Sequence, residues 1–389
     1  MLSKYLSLIN GFLKTIIYLS IFLNAVLMAV FLQKFNYLPC NPYGKVDQYH
    51  PIIKNKTLPL KYIFYAGNFN MPAKKLFGFG RQPFLDGNCE FTNCFLTDEM
   101  LNGTPKNNIS AYLYHARDMC SQKPPEKEWE LRRSTDVPFI FLLQESPAHD
   151  CNFNFRGFSH FFNLTMTYHR SSDIYFRYGE LMKKQVPSFK LPDYLPKRKL
   201  VSWLVSHVGS IGGRDNYVAE LEKTTTVSKY GGPFQKCPKR GECREYLSNN
   251  YKFYLAFENS LCLEYVTEKF FDTLRFPMVP VVYGRANYSS LAPPHSYIDV
   301  RDFSSPKELG EYLLYLDRTP EEYAKYFTWK KDYEVIDSFS KAHCELCKKV
   351  NRYSDEKKEA YSGKSLELWW RGNYSNPSCV QSSQLIPGM

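Results

Sequence analysis

From Leu200 onward the sequence alternates short apolar runs with helical spacing, and that alternation restricts the chain to an open parallel sheet flanked by helices. Leu200 to Val205 is strand-like and leads into a loop with Gly209, Gly212 and Gly213, after which a helix begins near Arg214. Tyr251 to Phe257 predicts a second strand, Thr267 to Leu274 a helix, Pro280-Val-Val-Tyr a third strand and Tyr297 to Val300 a fourth. Ser305-Pro306-Lys307-Glu308 reads as a capping box with proline at the first helical position, ahead of Leu309, Tyr312, Leu313 and Leu316 at helical spacing. Thr319 to Glu322 reads as a second capping box. Upstream, Tyr62-Ile-Phe-Tyr and Phe139-Ile-Phe-Leu-Leu predict buried strands, the latter ending at Gln144 and Glu145. Residues 102–136, rich in Asn, Pro, Lys and Glu, predict an exposed loop region. With 389 residues, 44% hydrophobic and 23% charged, the chain is globular and long enough for one large domain or two ordinary ones.

The amino terminus sets the compartment. Thr15 to Gln33 is a run of nineteen residues without a charge. As a helix it is about 28 Å long, close to the hydrocarbon thickness of a bilayer. Lys4 and Lys14 precede it and no acidic residue does, which predicts a cytosolic tail (1–14), a signal anchor (15–33) and a lumenal remainder. A cleaved signal peptide fits less well, because the run is long and no small-x-small site follows it. Pro39, Asn41, Pro42 and Gly44 argue against a helix in 34–60, read as a stem. Asn55, Asn102, Asn108, Asn163, Asn287 and Asn373 stand in glycosylation sequons, which agrees with a secretory address. Asn163 qualifies only if its loop is exposed. Eleven cysteines agree with an oxidising lumen, and Cys89, Cys94, Cys237, Cys243, Cys344 and Cys347 are disulfide candidates of unassigned connectivity. The odd total leaves at least one thiol free or paired between chains. Zinc binding at Cys344 and Cys347 would need a second ligand pair.

The net charge is +11, with a basic stretch at Lys183, Lys184, Lys190, Lys197, Arg198 and Lys199. A lumenal address argues against nucleic acid as its partner; solvated surface is the plain reading, and a basic face toward a nucleotide-sugar or sialylated glycan is the non-specific alternative. Leu191-Pro-Asp-Tyr-Leu-Pro-Lys-Arg-Lys predicts a linker at 191–199 between a domain at 61–190 and another at 200–340; a cysteine-containing extension follows at 341–389.

Ligands bind open parallel sheets at the carboxyl ends of strands, against helix N-termini. Two places fit. Gly212 and Gly213 let the backbone approach an anion before Arg214, although glycine turns after strands are common. Phe257-Glu258-Asn259-Ser260 leaves a strand, and Tyr265-Val266-Thr267-Glu268-Lys269 opens a helix. Lys269 offers a point charge for a diphosphate and Glu268 an acceptor for ribose hydroxyls. A surface Glu268–Lys269 ion pair is the plain alternative, but it leaves the rest of the segment unexplained.

Phe257-Glu-Asn-Ser-x-x-x-x-Tyr-Val-Thr-Glu-Lys269 resembles the signature of the α1,3/4-fucosyltransferase family. Phe162-Asn-Leu-Thr-Met-Thr-Tyr168 with Arg170 and Ser172-Asp-Ile174 resembles its acceptor-domain motif, followed by Tyr178-Gly179. Val201-Ser-Trp-Leu-Val-Ser206 and Arg214-Asp-Asn-Tyr-Val-Ala-Glu-Leu221 resemble its first donor-domain strand and helix, with Tyr230-Gly231 after them as in the family. Glu145-Ser-Pro147 with His149 matches the segment of the proposed base. The likeness runs from about Val137 to Trp329, with the motifs in order.

The resemblance implies an α/β GT-B architecture, two Rossmann-like domains facing a cleft, added to the N-terminal transmembrane helix. It implies an inverting transferase that moves L-fucose from GDP-β-L-fucose to the 3-hydroxyl of N-acetylglucosamine in a glycan, in the Golgi membrane. By family position Glu145 is the base, and Tyr178, Ser206, Arg214, Tyr254, Asn259, Tyr265, Glu268 and Lys269 line the donor site. No Asp-x-Asp occurs, so Arg214 and Lys269 are expected to stabilise the leaving GDP without an obligatory metal, with manganese stimulation compatible. His169, Ser171, Arg177 and His207 depart from the family's usual Arg, Asp, Pro and Asn. Those departures bear on acceptor choice and rate. Another GT-B nucleotide-sugar transferase and an inactive donor-binding or glycan-binding member are the alternatives. Lactosamine, LacdiNAc and the N-glycan core stay open as acceptors, and so does oligomeric state.

Overall fold

The computed structural model describes residues 58–67, 74, 75, 77–99, 109–120, 123–188, 199–238, 243–336 and 338–388. The expected anchor at 15–33, nearly all of the stem and linker, the sequons Asn55, Asn102 and Asn108, and Cys40 lie outside the described residues. Among the described residues no helix is long and apolar enough to cross a membrane.

The first sheet holds β1 (Lys61–Ala66), β2 (Cys94–Thr97), β3 (Ile109–His115), β4 (Phe139–Leu143), β5 (Leu164–Thr167) and β6 (Ile174–Tyr175). Its order is β2-β1-β3-β4-β5-β6, with every pairing parallel. All five residues of β4 are buried, as a strand covered on both faces requires. Helices α1 (Gln82–Asp86) and α2 (Glu126–Ser134) belong to this half. Residues 109–119 and 126–134 therefore correct the expectation of an exposed loop across 102–136. The polar flanks dominate that window's composition, but Ile109-Ser-Ala-Tyr-Leu-Tyr-His carries enough aromatic and aliphatic bulk to form an interior strand.

Strand β7 (Glu180–Lys183) leaves the first sheet, and a second sheet follows. It comprises β8 (Lys199–Leu204), β9 (Val227–Tyr230), β10 (Tyr251–Phe257), β12 (Val279–Tyr283) and β13 (Ile298–Asp299), with the short β11 (Leu261–Cys262) outside it. The order is β13-β12-β10-β8-β9, again all parallel. In both sheets the second strand lies outside the first and the third lies inside it. The chain thus reverses direction of growth between β1 and β3 and between β8 and β10, and these are the topological switch points.

The helices of this half are α3 (Arg214–Leu221), α4 (Cys243–Asn250), α5 (Glu268–Arg275), α6 (Pro306–Arg318) and α7 (Pro320–Lys325). Thr267 caps α5 by accepting from the Lys269 N–H, and Phe270, Phe271 and Leu274 bury its inner face. Ser305 caps α6 by accepting from the Glu308 N–H, while the Glu308 carboxylate turns to the N–H and hydroxyl of Ser304. The second expected capping box does not form. The Thr319 hydroxyl bonds back to the Tyr315 carbonyl at 2.6 Å and closes α6 instead of opening α7.

Strand β14 (Tyr333–Ile336) pairs antiparallel with β7, and the chain then returns to the first half. Helix α8 (Phe339–Arg352) buries Ala342, Leu346, Cys347 and Val350 in one core with Ile63, Leu96, Leu113 and Ile140. Two disulfides fix it there, Cys89–Cys344 and Cys94–Cys347. Helix α9 (Gly363–Arg371) adds Leu366 and Trp370 to the aromatic core around Phe141 and Phe153. Strand β15 (Cys379–Val380) pairs with β11 in the second half, where Cys262–Cys379 forms a third bridge. Cys120–Cys151 and Cys237–Cys243 complete five pairs, so all six candidate cysteines are bonded and Cys344 and Cys347 serve different partners. Residues Leu58–Met389 make up one compact unit.

Candidate active site

A cleft of about 520 Å³ opens at the switch point of the second sheet, lined by the loop after β8 (Ser206 to Ile211) and by Asn259 after β10. Arg214 at the start of α3, Arg244 on α4, Tyr254 on β10, and Glu268 and Lys269 at the start of α5 share it. The first sheet contributes Arg117, Glu145 and His149 from the carboxyl ends of β3 and β4. A larger cavity of about 670 Å³ lies at the amino ends of β1 and β3, beside Lys61, Ile109 and Asp136. Strand amino ends are the wrong edge for ligand chemistry in such sheets, so the smaller cleft is the candidate.

The floor of the cleft is a buried charge arrangement. Glu258 leaves β10 fully buried and accepts from the Thr267 N–H at 2.8 Å and hydroxyl at 3.0 Å. It also accepts from the Lys269 ammonium at 3.1 Å. Lys269 stands 3.6 Å from Glu268. Its main partner is thus Glu258 underneath it, and a surface Glu268–Lys269 pair does not describe the segment. The two sides of the pair respond differently. Burial raises the Glu258 pKa against the opposing pull of Lys269. Burial also disfavours the Lys269 charge, but Glu258 and Glu268 together outweigh it and raise that pKa. Burial acts to raise Glu268 too, yet Lys269 and Arg244 hold it below the usual carboxylate range. Arg244 reaches Glu268 at 3.6 Å and Asp272 at 3.5 Å.

Arg214 is nearly buried. It donates to the Phe257 carbonyl at 2.8 Å and the His207 carbonyl at 3.0 Å, which ties the ends of β8 and β10 together. Its Nε has no partner. Burial lowers its pKa, with Glu258 and Asp215 opposing, and a guanidinium stays charged through such shifts. The turn before it needs both glycines. Gly213 sits at φ 72°, and a Cβ on Gly212 would meet the Asn259 carbonyl oxygen at 3.0 Å.

Opposite this floor, the Glu145 carboxylate is held at both oxygens. Arg117 donates to Oε1 at 2.7 Å and the Tyr265 hydroxyl to Oε2 at 3.2 Å. Burial, then Tyr178 and Glu145 nearby, raise the Tyr265 pKa and keep it a donor. Each carboxylate oxygen still has lone-pair capacity for a further proton donor. The hydroxyls of Ser146 and Ser260 meet at 2.6 Å and join the loop after β4 to the loop after β10.

Of the nine expected catalytic and donor-site residues, Glu145, Ser206, Arg214, Tyr254, Asn259, Glu268 and Lys269 line the cleft. Tyr178 and Tyr265 stand behind Glu145: the Tyr178 hydroxyl donates to the Gln144 carbonyl at 2.8 Å. Sequence reasoning misses Arg117 and Arg244, and it gives Glu258, although inside the quoted motif, no role of its own. Arg117 follows β3 by two residues, as Glu145 follows the neighbouring β4, so recognising β3 would have exposed it. Arg244 carries no comparable sequence signal, whereas Glu258 stands inside the Phe257-Glu-Asn-Ser motif and only the packing shows that it is the buried carboxylate under Lys269. Among the described residues no group of three or more His, Cys, Asp or Glu could hold a metal ion. Asn163 does not suit glycosylation. Its carboxamide is buried, accepting from the Phe139 N–H at 2.8 Å and donating to the Tyr353 hydroxyl. Asn287 and Asn373 are exposed.

The sequence comparisons agree with this geometry. The family described as "Glycosyltransferase family 10 (fucosyltransferase) C-term" matches residues 194–369, and "Fucosyltransferase, N-terminal" matches 60–179. The chain belongs to glycosyltransferase family 10, the fucosyltransferases. Within that family it is 36% identical over 277 residues to rat 4-galactosyl-N-acetylglucosaminide 3-alpha-L-fucosyltransferase 9, covering 68% of this chain and 72% of the rat protein. It is 33% identical over 282 residues to alpha-(1,3)-fucosyltransferase C of Drosophila melanogaster, covering 67% of this chain and 65% of the fly protein. A crystal structure of an α1,3-fucosyltransferase shares the fold at a TM-score of 0.53 and 18% identity, covering 78% of this chain and 93% of that one. Another, determined with GDP-fucose, aligns at a TM-score of 0.50 and 17% identity, over 79% of this chain and 93% of that one.

Proposed function

We propose that this family 10 fucosyltransferase is an inverting α1,3-fucosyltransferase of GT-B architecture that transfers L-fucose from GDP-β-L-fucose to the 3-hydroxyl of N-acetylglucosamine in a glycan. One observation carries the reading: a carboxylate held at both oxygens faces, across one cleft, the guanidinium of Arg214 and a lysine on a helix N-terminus. The names of the rat and fly relatives support the linkage.

The residues divide the chemistry between the two sheets. Glu145 takes the proton from the acceptor hydroxyl as its oxygen bonds to the sugar carbon from the face opposite the diphosphate. The bond from that carbon to the phosphate oxygen breaks, its electron pair leaves with GDP, and a β-linked donor gives an α-linked product. Lys269, Arg214 and the N-termini of α3 and α5 oppose the charge that develops on the diphosphate. Glu268 accepts from ribose hydroxyls. Arg117 and Tyr265 hold the plane of the Glu145 carboxylate. This chemistry uses no obligatory metal, and the protein acts in the Golgi lumen from the anchor at 15–33.

The test is fucose transfer from GDP-fucose, compared with GDP-mannose and UDP-sugars, to an array of N-acetylglucosamine-terminated, lactosamine, LacdiNAc and core N-glycan acceptors. Glu145→Gln is expected to abolish transfer with the fold retained. Normal transfer by that variant removes the base assignment, and preference for another donor removes the donor assignment.

A further inference from the structure

Beside the cleft lies a second, smaller cavity of about 160 Å³ that the transfer chemistry leaves unused. Its walls continue those of the cleft. Ile211 lines both, Ala148 precedes His149 of the cleft, and Ser260 follows Asn259. The remaining side comes from the end of the chain, through Val380, Gln381 and Gln384.

That terminal segment is firmly held as it crosses from one half of the molecule to the other. At its start Arg371 grips the buried Asp150 with two bonds, at 2.8 and 2.9 Å, one residue beyond His149. Further on, Cys379 is bonded to Cys262, and Arg285 donates to the Ser378 carbonyl at 3.1 Å. Ser382 then packs against the helix turn at Gly213, where an added Cβ would come within 2.7 Å of its hydroxyl oxygen. The cavity is therefore a built feature, closed by a strap with anchors on both sides of it.

Its chemistry differs from the cleft's. The cleft gathers Arg117, Glu145, Arg214, Arg244, Glu268 and Lys269, whereas no residue lining the small cavity carries a charge. Aliphatic surface with the amide NH2 groups of Gln381 and Gln384, whose oxygens accept from each other's backbone N–H, suits a neutral sugar, whose hydroxyls need hydrogen-bond partners and whose C–H face needs apolar contact. Ile211 is a large aliphatic side chain left 51% exposed on the shared wall, where it offers such a face. A diphosphate or a sialic acid would find no counter-charge here.

We infer that this cavity is an acceptor subsite, binding the neutral sugar next to the residue that receives fucose, and that the terminal strap sets acceptor choice. The inference rests on the transferase reading.

The experiment uses the full chain in detergent with Gln384→Ala and Gln384→Trp, the second filling the cavity. Steady-state kinetics compare N-acetyllactosamine with a simple N-acetylglucosamine glycoside, and acceptor-free GDP-fucose hydrolysis reports the donor site. Gln384→Trp is expected to raise KM for the disaccharide about ten-fold, roughly what one lost sugar contact of 1.4 kcal/mol produces. The monosaccharide KM and the GDP-fucose KM stay at wild-type values, and the melting temperature falls only slightly, through the lost bond from the Gln381 N–H to the Gln384 carboxamide. A matching rise in the GDP-fucose KM assigns the cavity to the donor and overturns the subsite, as does an unchanged disaccharide KM. Calorimetric binding of N-acetyllactosamine to wild type and variants separates the two levels. Loss of disaccharide binding in Gln384→Trp supports the subsite even if wild type turns over no GDP-fucose, a result that would remove only the transferase reading.

Discussion

Lys269 offers the sharpest test of how this site is built, because its structural and chemical roles can be separated. Glu258 has no solvent exposure, and in the native protein its carboxylate is balanced by Lys269 at 3.1 Å and by the Thr267 N–H and hydroxyl. Lys269→Met removes the ammonium and leaves a buried carboxylate with hydrogen bonds but no counter-charge. Breaking one side of such a buried pair costs about 3–5 kcal/mol. Spread over residues 58–389, an unfolding entropy of roughly 2.1 cal/mol/K per residue gives about 0.7 kcal/mol/K, so the melting temperature is expected to fall by roughly 4–7 °C.

Glu258→Gln on that background replaces the stranded charge with a neutral amide whose oxygen can still accept from Thr267. The double variant is expected to recover most of the lost stability. It is not expected to recover transfer, because the cation that opposes the leaving diphosphate is still missing. Loss of one such electrostatic group costs about 100-fold or more in turnover. Differential scanning fluorimetry and a GDP-release assay on the four proteins of the cycle give both axes. A double variant that regains turnover along with stability would refute the assignment, since Lys269 would then act only as a counter-ion. A Lys269→Met protein with unchanged melting temperature would refute the energetic argument.

The same geometry sets four further outcomes. Glycopeptide mass spectrometry of secretory-pathway material is expected to find Asn287 and Asn373 occupied and Asn163 bare, and Asn163→Ala is expected to cost about 1–3 kcal/mol by leaving the buried Phe139 N–H unpaired. Non-reducing peptide mapping should recover Cys94–Cys347, and because Cys89–Cys344 still closes the same long loop, its loss should destabilise by only about 3 kcal/mol on the loop-entropy account. Lys358 with Thr165 and Tyr361 depress the Asp173 pKa against burial, the hydrogen bond to His169 depresses Glu264, and Lys269 with Arg244 depress Glu268 against burial. Their folded values lie below their unfolded ones, so this stability is complete above the ordinary carboxylate range and lost on further acidification; melting temperatures should hold to about pH 5 and drop below about pH 4. Arg117→Lys should retain more turnover than Arg117→Ala at equal stability, since a lysine can still donate to Glu145 without the planar fork.

What was legible in the sequence depended on the range of the interactions. The strands and helices of the second half could be read because each carries its own period, and the polar residues after Phe257 and before Phe270 mark strand and helix ends that the fold then brings together. The same local reading failed at β3, where a short interior strand sits between polar flanks, and the loss of β3 hid Arg117. Tyr178 and Tyr265 illustrate a different limit. A motif carries a residue to the right neighbourhood, but only the packing decides whether its hydroxyl faces the ligand or holds Glu145 and its neighbour from behind. Disulfides that join residues 253 and 255 positions apart depend on α8 returning to the first sheet, and no local pattern encodes that return.

The position of those returns has a consequence for catalysis. The base and the leaving-group cations lie on different sheets, so their separation is set by whatever ties the sheets together. Those ties are the chain segments that periodicity describes least: the Ser146–Ser260 contact, the β7–β14 pairing and the Cys262–Cys379 clasp. A cleft between two sheets needs both a rigid floor for the diphosphate and a reproducible distance to the carboxylate, since small displacements of reacting groups cost large factors in rate. The floor is local and is written in one motif. The distance is non-local, and the carboxyl-terminal segment that maintains it also closes the small neutral cavity, which joins reaction geometry and acceptor choice in one strap.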